Sequence, residues 1–193
     1  MSHFPLHTLE TAPAGAQPIL NGVKAKMGFV PNLLAKLAEA PVALEAYTTL
    51  SGIFDKASLA PGERQLVLLT SAVENACEFC VAAHSAGAKR VKVNPQVVSA
   101  LREGKTVPDA RLKALTDFTR AVVQERGWVG EQKVEGFLAA GFTPQQVLEV
   151  LVGVTLKTLS NYANHIVDTP LNAELAGEKW SANGAAAVHR HAV

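Results

Sequence analysis

Only two cysteines occur in the 193 residues, Cys77 and Cys80. That is too few for a disulfide-scaffolded domain and points to a reducing compartment. Charge is also scarce: Asp, Glu, Lys and Arg make up 18% of the chain, against the roughly 25% usual for soluble domains. The formal net charge of +1 and the lack of any dense Lys/Arg cluster exclude the electrostatic footprint of a nucleic-acid-binding protein. Long apolar runs are missing too. The most apolar stretch, Val147 to Leu159, is interrupted by Glu149 and Lys157. It is too short to span a bilayer and reads as a buried helix. The opening Met1-Ser-His-Phe-Pro-Leu-His has no basic stretch leading into an apolar one, so no signal peptide is expected and the cytoplasm is the expected location. No segment alternates apolar and polar residues cleanly at period two, which excludes a sheet.

Against these absences, 48% of the residues are apolar. A chain this poor in charge has apolar surface to hide in a subunit interface. Residues 1–27, with Pro5, Pro13, Pro18, Gly15 and Gly22, show no sustained period and read as an extended arm. From 28 to 172 the pattern is helical, punctuated by prolines that suit first helical turns. Pro31 and Pro41 start a short and a longer helix, and Pro61 opens another that runs to Glu74. Asn94-Pro95 caps a short one, and Pro108-Asp109 begins a long one. A helix from Gly130 to Ala140 follows, and Thr143-Pro144-Gln-Gln leads a closing helix to about Ile166. Residues 173–193 read as a tail, in which His189 and His191 are solvated.

The most informative stretch is Glu74-Asn-Ala-Cys77-Glu-Phe-Cys80-Val-Ala-Ala-His84. In a helix, Cys77, Cys80 and His84 share one face at i, i+3 and i+7. Two thiols that close can form a disulfide, and an imidazole one turn on can move a proton. Asn75 is a candidate break and N-cap, which would put the cysteines in a first turn, where the positive end of the helix dipole favours thiolate. Two other readings stand beside this one. The cysteines could be small buried hydrophobes. They could also be zinc ligands, but a closed site needs four, and only His165 could be recruited by folding. Haem attachment requires His directly after the second Cys, which this chain lacks. No metal and no cofactor are expected.

At these residues the chain resembles the alkyl hydroperoxidase D-like, peroxidase-related branch of the carboxymuconolactone decarboxylase superfamily. The carrying segment is Glu63 to His84, with Glu-x-x-Cys-x-x-Cys-x-x-x-His as its signature. Gly28-Phe-Val-Pro-Asn32, Ala140-Gly-Phe-Thr-Pro-Gln-Gln and Asn161-Tyr-Ala-Asn-His165 extend the likeness. The resemblance implies a single-domain all-α helical bundle, assembly into homotrimers or homohexamers, and hydroperoxide reduction. It makes Cys80 the attacking thiolate, His84 its proton partner and Cys77 the resolving thiol. An external dithiol, thioredoxin-like or lipoyl, would reduce the disulfide; neither nucleic acid nor membrane is an expected partner. The family's relay glutamate lies twelve residues before the first cysteine, where this chain has Gln65. Glutamine does not take up a proton at neutral pH, so Glu74 is the expected substitute, with Glu63 as a weaker one better suited to capping its helix. The superfamily also holds ring-lactone decarboxylases without the cysteine pair, and a lyase or hydrolase with His84 as general base is the alternative enzyme. A redox sensor on the same fold is the non-catalytic one. Asn161, Asn164 and His165 are candidates to line the pocket; Phe79 and Tyr162 read as packing residues.

Overall fold

A computed structural model describes residues 3–182, so the end of the tail, with His189 and His191, lies outside the described residues. Nine α-helices are present among them: α1 (Gln17–Met27), α2 (Asn32–Leu37), α3 (Pro41–Phe54), α4 (Pro61–Glu74), α5 (Glu78–Arg90), α6 (Pro95–Arg102), α7 (Ala110–Gln124), α8 (Gly130–Ala139) and α9 (Pro144–Val167). A 3-10 helix, Ala173–Glu178, follows, and no strand occurs among the described residues. Proline stands in the first turn of α1, α3, α4, α6 and α9, where its missing N–H costs nothing. Side-chain caps close the starts of three helices: Gln96 N donates to Asn94 Oδ1 (2.9 Å), Leu112 N to Asp109 Oδ1 (2.8 Å) and Gln146 N to Thr143 Oγ1 (3.2 Å).

The core is built around α4. Leu66 through Ala72 are all buried, a helix apolar on every side because α5, α7 and α9 each pack against it. Phe137 stacks between Phe118 and Phe142, with ring centroids 4.5 and 4.3 Å apart, and ties α8 to α7. Arg111 lies over the Phe142 ring at 3.8 Å.

The arm is not extended throughout. Residues 17–27 form α1, with Pro18 in its first turn, Lys24 and Lys26 at its negative end, and Gly28 closing it at φ 84°. Its buried anchors are few, Ala16 and Leu20 both being fully covered, so no sustained apolar period marks it. Residues 173–182 are docked as well. Leu175 is buried, the 3-10 helix packs on α5, and Trp180 Nε1 donates to the Arg102 carbonyl (2.8 Å). No single helix among the described residues is long and apolar enough to cross a membrane.

Candidate functional site

The chain breaks at Asn75 as expected, but the residue that caps the next helix lies two positions later. Asn75 ends α4, its N–H donating to the Ser71 carbonyl (3.1 Å), Ala76 turns the chain at φ 51°, and Cys77 is the residue that caps α5. Cys77 therefore sits just outside the helix and Cys80 in its first turn, near the positive end of the dipole. Both are free thiols and both are buried.

α9 brings the remaining groups. Gly153 permits its close approach: a Cβ there would lie 2.7 Å from Val67 Cγ1 and 2.8 Å from Phe54 Cζ. One turn later Lys157, only 1% exposed, directs Nζ to His84 Nε2 at 2.9 Å. His84 Nδ1 meets Gln65 Oε1 at 3.2 Å, and Gln65 is seated over Gly87, where a Cβ would come within 2.5 Å of that oxygen. Further along α9, Asn164 Nδ2 donates to Cys80 Sγ (3.1 Å) and reaches Cys77 Sγ (3.6 Å). Asn161 accepts from Asn75 Nδ2 through Oδ1 (3.0 Å), while its buried Nδ2, near the Cys80 sulfur, makes no hydrogen bond among the described residues. Asn164 Oδ1, also buried, has no hydrogen-bond partner among the described residues.

These contacts separate the two sulfurs electrostatically. Burial raises the Cys80 thiol, but the Cys77 S–H, the Lys157 ammonium and the Asn161 amide together outweigh it and bring its pKa down to about 5. Cys77 moves the other way, because its thiol donates to Cys80 and is itself desolvated. Burial, with the Lys157 charge beside it, holds His84 well below the ordinary histidine range, so the ring is neutral. Lys157 keeps its proton: desolvation pushes its pKa down, and the Cys80 charge, with Tyr47 and Cys77, pushes it further up. The pair Cys80 thiolate and Lys157 ammonium is the charged centre of the site.

The structure thus gathers Cys77, Cys80 and His84 but not Glu74. The Glu74 carboxylate accepts from Arg120 Nε (2.8 Å) and Gln124 Nε2 (2.7 Å) on α7, at the rim of a polar cavity of about 310 Å³ on that side. The turn at Ala76 separates its direction from that of the cysteines, and the hydrogen-bonded row beside them is made by Gln65, His84 and Lys157 instead. Glu74→Gln is accordingly expected to leave the pH dependence of Cys80 alkylation unchanged and to cost about 1 kcal/mol of stability, from a partly buried ion pair. Glu63 caps α4, accepting from Ala60 N (2.8 Å) and Arg111 Nε (3.2 Å). Phe79 is buried, whereas Tyr162 and His165 lie exposed on the outer side of α9. Among the described residues no three His, Cys, Asp or Glu side chains gather closely enough to hold a metal ion. Lys157 was the missed residue. Its signal was in the sequence: a lone lysine inside the most apolar segment, on the helix face that also carries Gly153, Asn161 and Asn164, is costly unless it has a charge to meet.

The carboxymuconolactone decarboxylase family model matches residues 39–121, a span that holds α3 to most of α7 and both cysteines. Comparison with curated proteins gave no match. Among solved structures, the chain is similar to a peroxidase-related protein with an alkylhydroperoxidase AhpD core from Ralstonia eutropha JMP134, with 25% identity, TM-score 0.81, and 90% of this chain and 94% of that one covered. A peroxidase-related protein from Silicibacter sp. TM1040 shares the fold at 22% identity and TM-score 0.77, over 91% and 93% of the two chains. So does the debrominase Bmp8, at 17% identity and TM-score 0.74, over 91% and 94%. The family match over residues 39–121 and the fold shared with the peroxidase-related proteins support the carboxymuconolactone decarboxylase superfamily, in its alkyl hydroperoxidase D-like branch, as the group this chain is similar to.

Proposed function

We propose that the protein is a thiol-dependent oxidoreductase that reduces hydroperoxides through a Cys80–Cys77 disulfide cycle. The observation that carries this reading is the buried pair of free thiols under one Asn164 amide, 3.1 Å from Cys80 and 3.6 Å from Cys77, with surroundings that favour thiolate at Cys80 and thiol at Cys77. Cys80 attacks the terminal peroxide oxygen; the S–O bond forms, the O–O bond breaks and an alcohol or water leaves. Cys77 then attacks the sulfenic sulfur, the S–S bond forms and water leaves. An external dithiol, thioredoxin-like or lipoyl, returns both thiols. The unpaired Asn164 Oδ1 stands beside the sulfur, where a peroxide O–H can donate to it. A lyase with His84 as general base, which the family match also admits, is the weaker reading, because both ring nitrogens are already engaged.

The test is a thiol titration before and after one equivalent of hydrogen peroxide or cumene hydroperoxide, followed by peroxide consumption with dithiothreitol. Loss of both thiols as one intramolecular disulfide, with repeated turnover, is expected. Oxidation without turnover would make the protein a sensor, and unreactive thiols would remove the reading.

The reading includes self-association through α9 and α3. Leu148 (63% exposed), Leu151, Tyr162 and Ile166 (71%) form an outward stripe on α9, beside Val42 (76%) and Ile53 on α3. A trimer or hexamer is the expected mass by light scattering, and Leu148→Glu with Ile166→Glu is expected to lower it. An unchanged assembly in that double variant would place the interface elsewhere.

A further inference from the structure

We infer that Lys157 is a catalytic residue of this site: its ammonium holds Cys80 as a thiolate and hands its proton to the oxygen that leaves, with His84 serving as its neutral acceptor. The inference rests on the reading above only for the identity of the leaving group.

Hydrogen-bond logic fixes the direction of the chain. An ammonium has only donors to offer, so His84 Nε2, at 2.9 Å from Lys157 Nζ, must present its lone pair. The ring proton of a neutral imidazole is then on Nδ1, and it donates to Gln65 Oε1 at 3.2 Å. Turning the Gln65 amide over would set N–H against N–H, so the lysine orders the whole row. His84 consequently has no proton to give toward the sulfur. A carboxylate at position 65 could have charged the ring, but glutamine cannot; of the protons left beside Cys80, that of Cys77 is needed to make water in the disulfide step, and the one free for the leaving alkoxide belongs to Lys157. The titratable groups facing that ammonium are Cys77 at the cap of α5, Cys80 and His84 within it, and Tyr47 from α3. A buried cation needs an anion, and Cys80 stands one turn before the His84 that Lys157 meets and under Asn164 from the same face of α9 (3.1 Å), where the two charges favour one another.

The charges close over the cycle. In the reduced protein the site holds a thiolate, an ammonium and the Cys77 thiol. Attack on ROOH gives Cys80 sulfenic acid and an alkoxide, which takes the lysine proton and leaves as ROH. The amine is now neutral beside a neutral sulfur, as burial favours. Cys77 closes the disulfide, and its proton leaves with the hydroxyl as water. After an external dithiol restores both thiols, Cys80 returns a proton to the amine and the ion pair is rebuilt.

Two arms test this on the full chain. In the first, iodoacetamide alkylation of each cysteine is followed against pH by mass spectrometry. The wild-type Cys80 rate is expected to fall only as pH drops through about 5, since protonation removes the thiolate. In Lys157→Met the midpoint is expected to rise by roughly one to three pH units, while Lys157→Arg stays near wild type. Lys157→Gln, which keeps a hydrogen-bond donor without the charge, serves if the Met variant does not fold. A midpoint left in place in the neutral variants overturns the assignment.

In the second arm, turnover is compared between cumene hydroperoxide, whose alkoxide needs a proton, and a peracid, whose carboxylate does not. Lys157→Met is expected to lose about 100-fold or more with the first and far less with the second; equal losses overturn the proton transfer. If the wild-type protein consumes neither, the proposed function falls, while the alkylation arm still decides whether Lys157 holds the thiolate.

Discussion

Cys80→Ser is expected to abolish peroxide consumption, and Cys77→Ser to leave a single oxidation event that stops at a sulfenic acid trapped by dimedone. The two outcomes differ because the sulfurs are held differently. Cys80 receives the Asn164 amide at 3.1 Å and is favoured as thiolate by the Lys157 charge, whereas Cys77 gives its own proton to Cys80 and is raised by that bond and by burial. Serine at 80 removes the nucleophile, since an alcohol there stays protonated across the working pH range. Serine at 77 keeps a hydrogen-bond donor to the thiolate but cannot close a disulfide. Dimedone on Cys77 in the Cys80→Ser protein would reverse the order of attack.

Gly153→Ala is expected to destabilise the fold by about 1–3 kcal/mol through overpacking. The added methyl would meet Val67 Cγ1 at 2.7 Å and Phe54 Cζ at 2.8 Å, and both residues are buried with no room to withdraw. Removing a glycine from a helix interior returns about 1 kcal/mol, which is smaller than the clash, so the net sign is loss. A functional effect accompanies it. Lys157 lies one turn along the same helix, and displacing α9 draws the ammonium away from Cys80, so the thiol midpoint rises together with the fall in stability. Urea unfolding and the alkylation profile check the two effects. A stabilised variant with an unmoved midpoint would show that α9 does not depend on this contact.

The helical order was legible because proline and capping residues stand where helices begin. Pro61 and Glu74 bound α4 as read, and Thr143 and Gln146 form the reciprocal cap that opens α9. α1 was not, because two buried anchors give no period to read. The site was half legible. Cys77, Cys80 and His84 are close in sequence, so local helical geometry brings them together. Glu74 is equally close but turns away at Ala76, whose positive φ has no signature in an alanine. Lys157 and Asn164 arrive from more than seventy residues away, and only tertiary packing reveals which charge in an apolar helix meets which sulfur.

The Arg102 guanidinium joins Ser85 Oγ (2.7 Å), on the helix that carries the cysteines, to the carbonyls of Glu178 (3.2 Å) and Lys179 (3.0 Å). In proteolytic terms this clasp makes residues 173–180 a brace on the back of α5. Trimming the chain at the end of α9 would leave Arg102 with two of its carbonyl acceptors gone and uncover Ser85, which is fully buried. The loss would be felt at the neighbouring residue, His84, as slackness in the row that the lysine keeps in order.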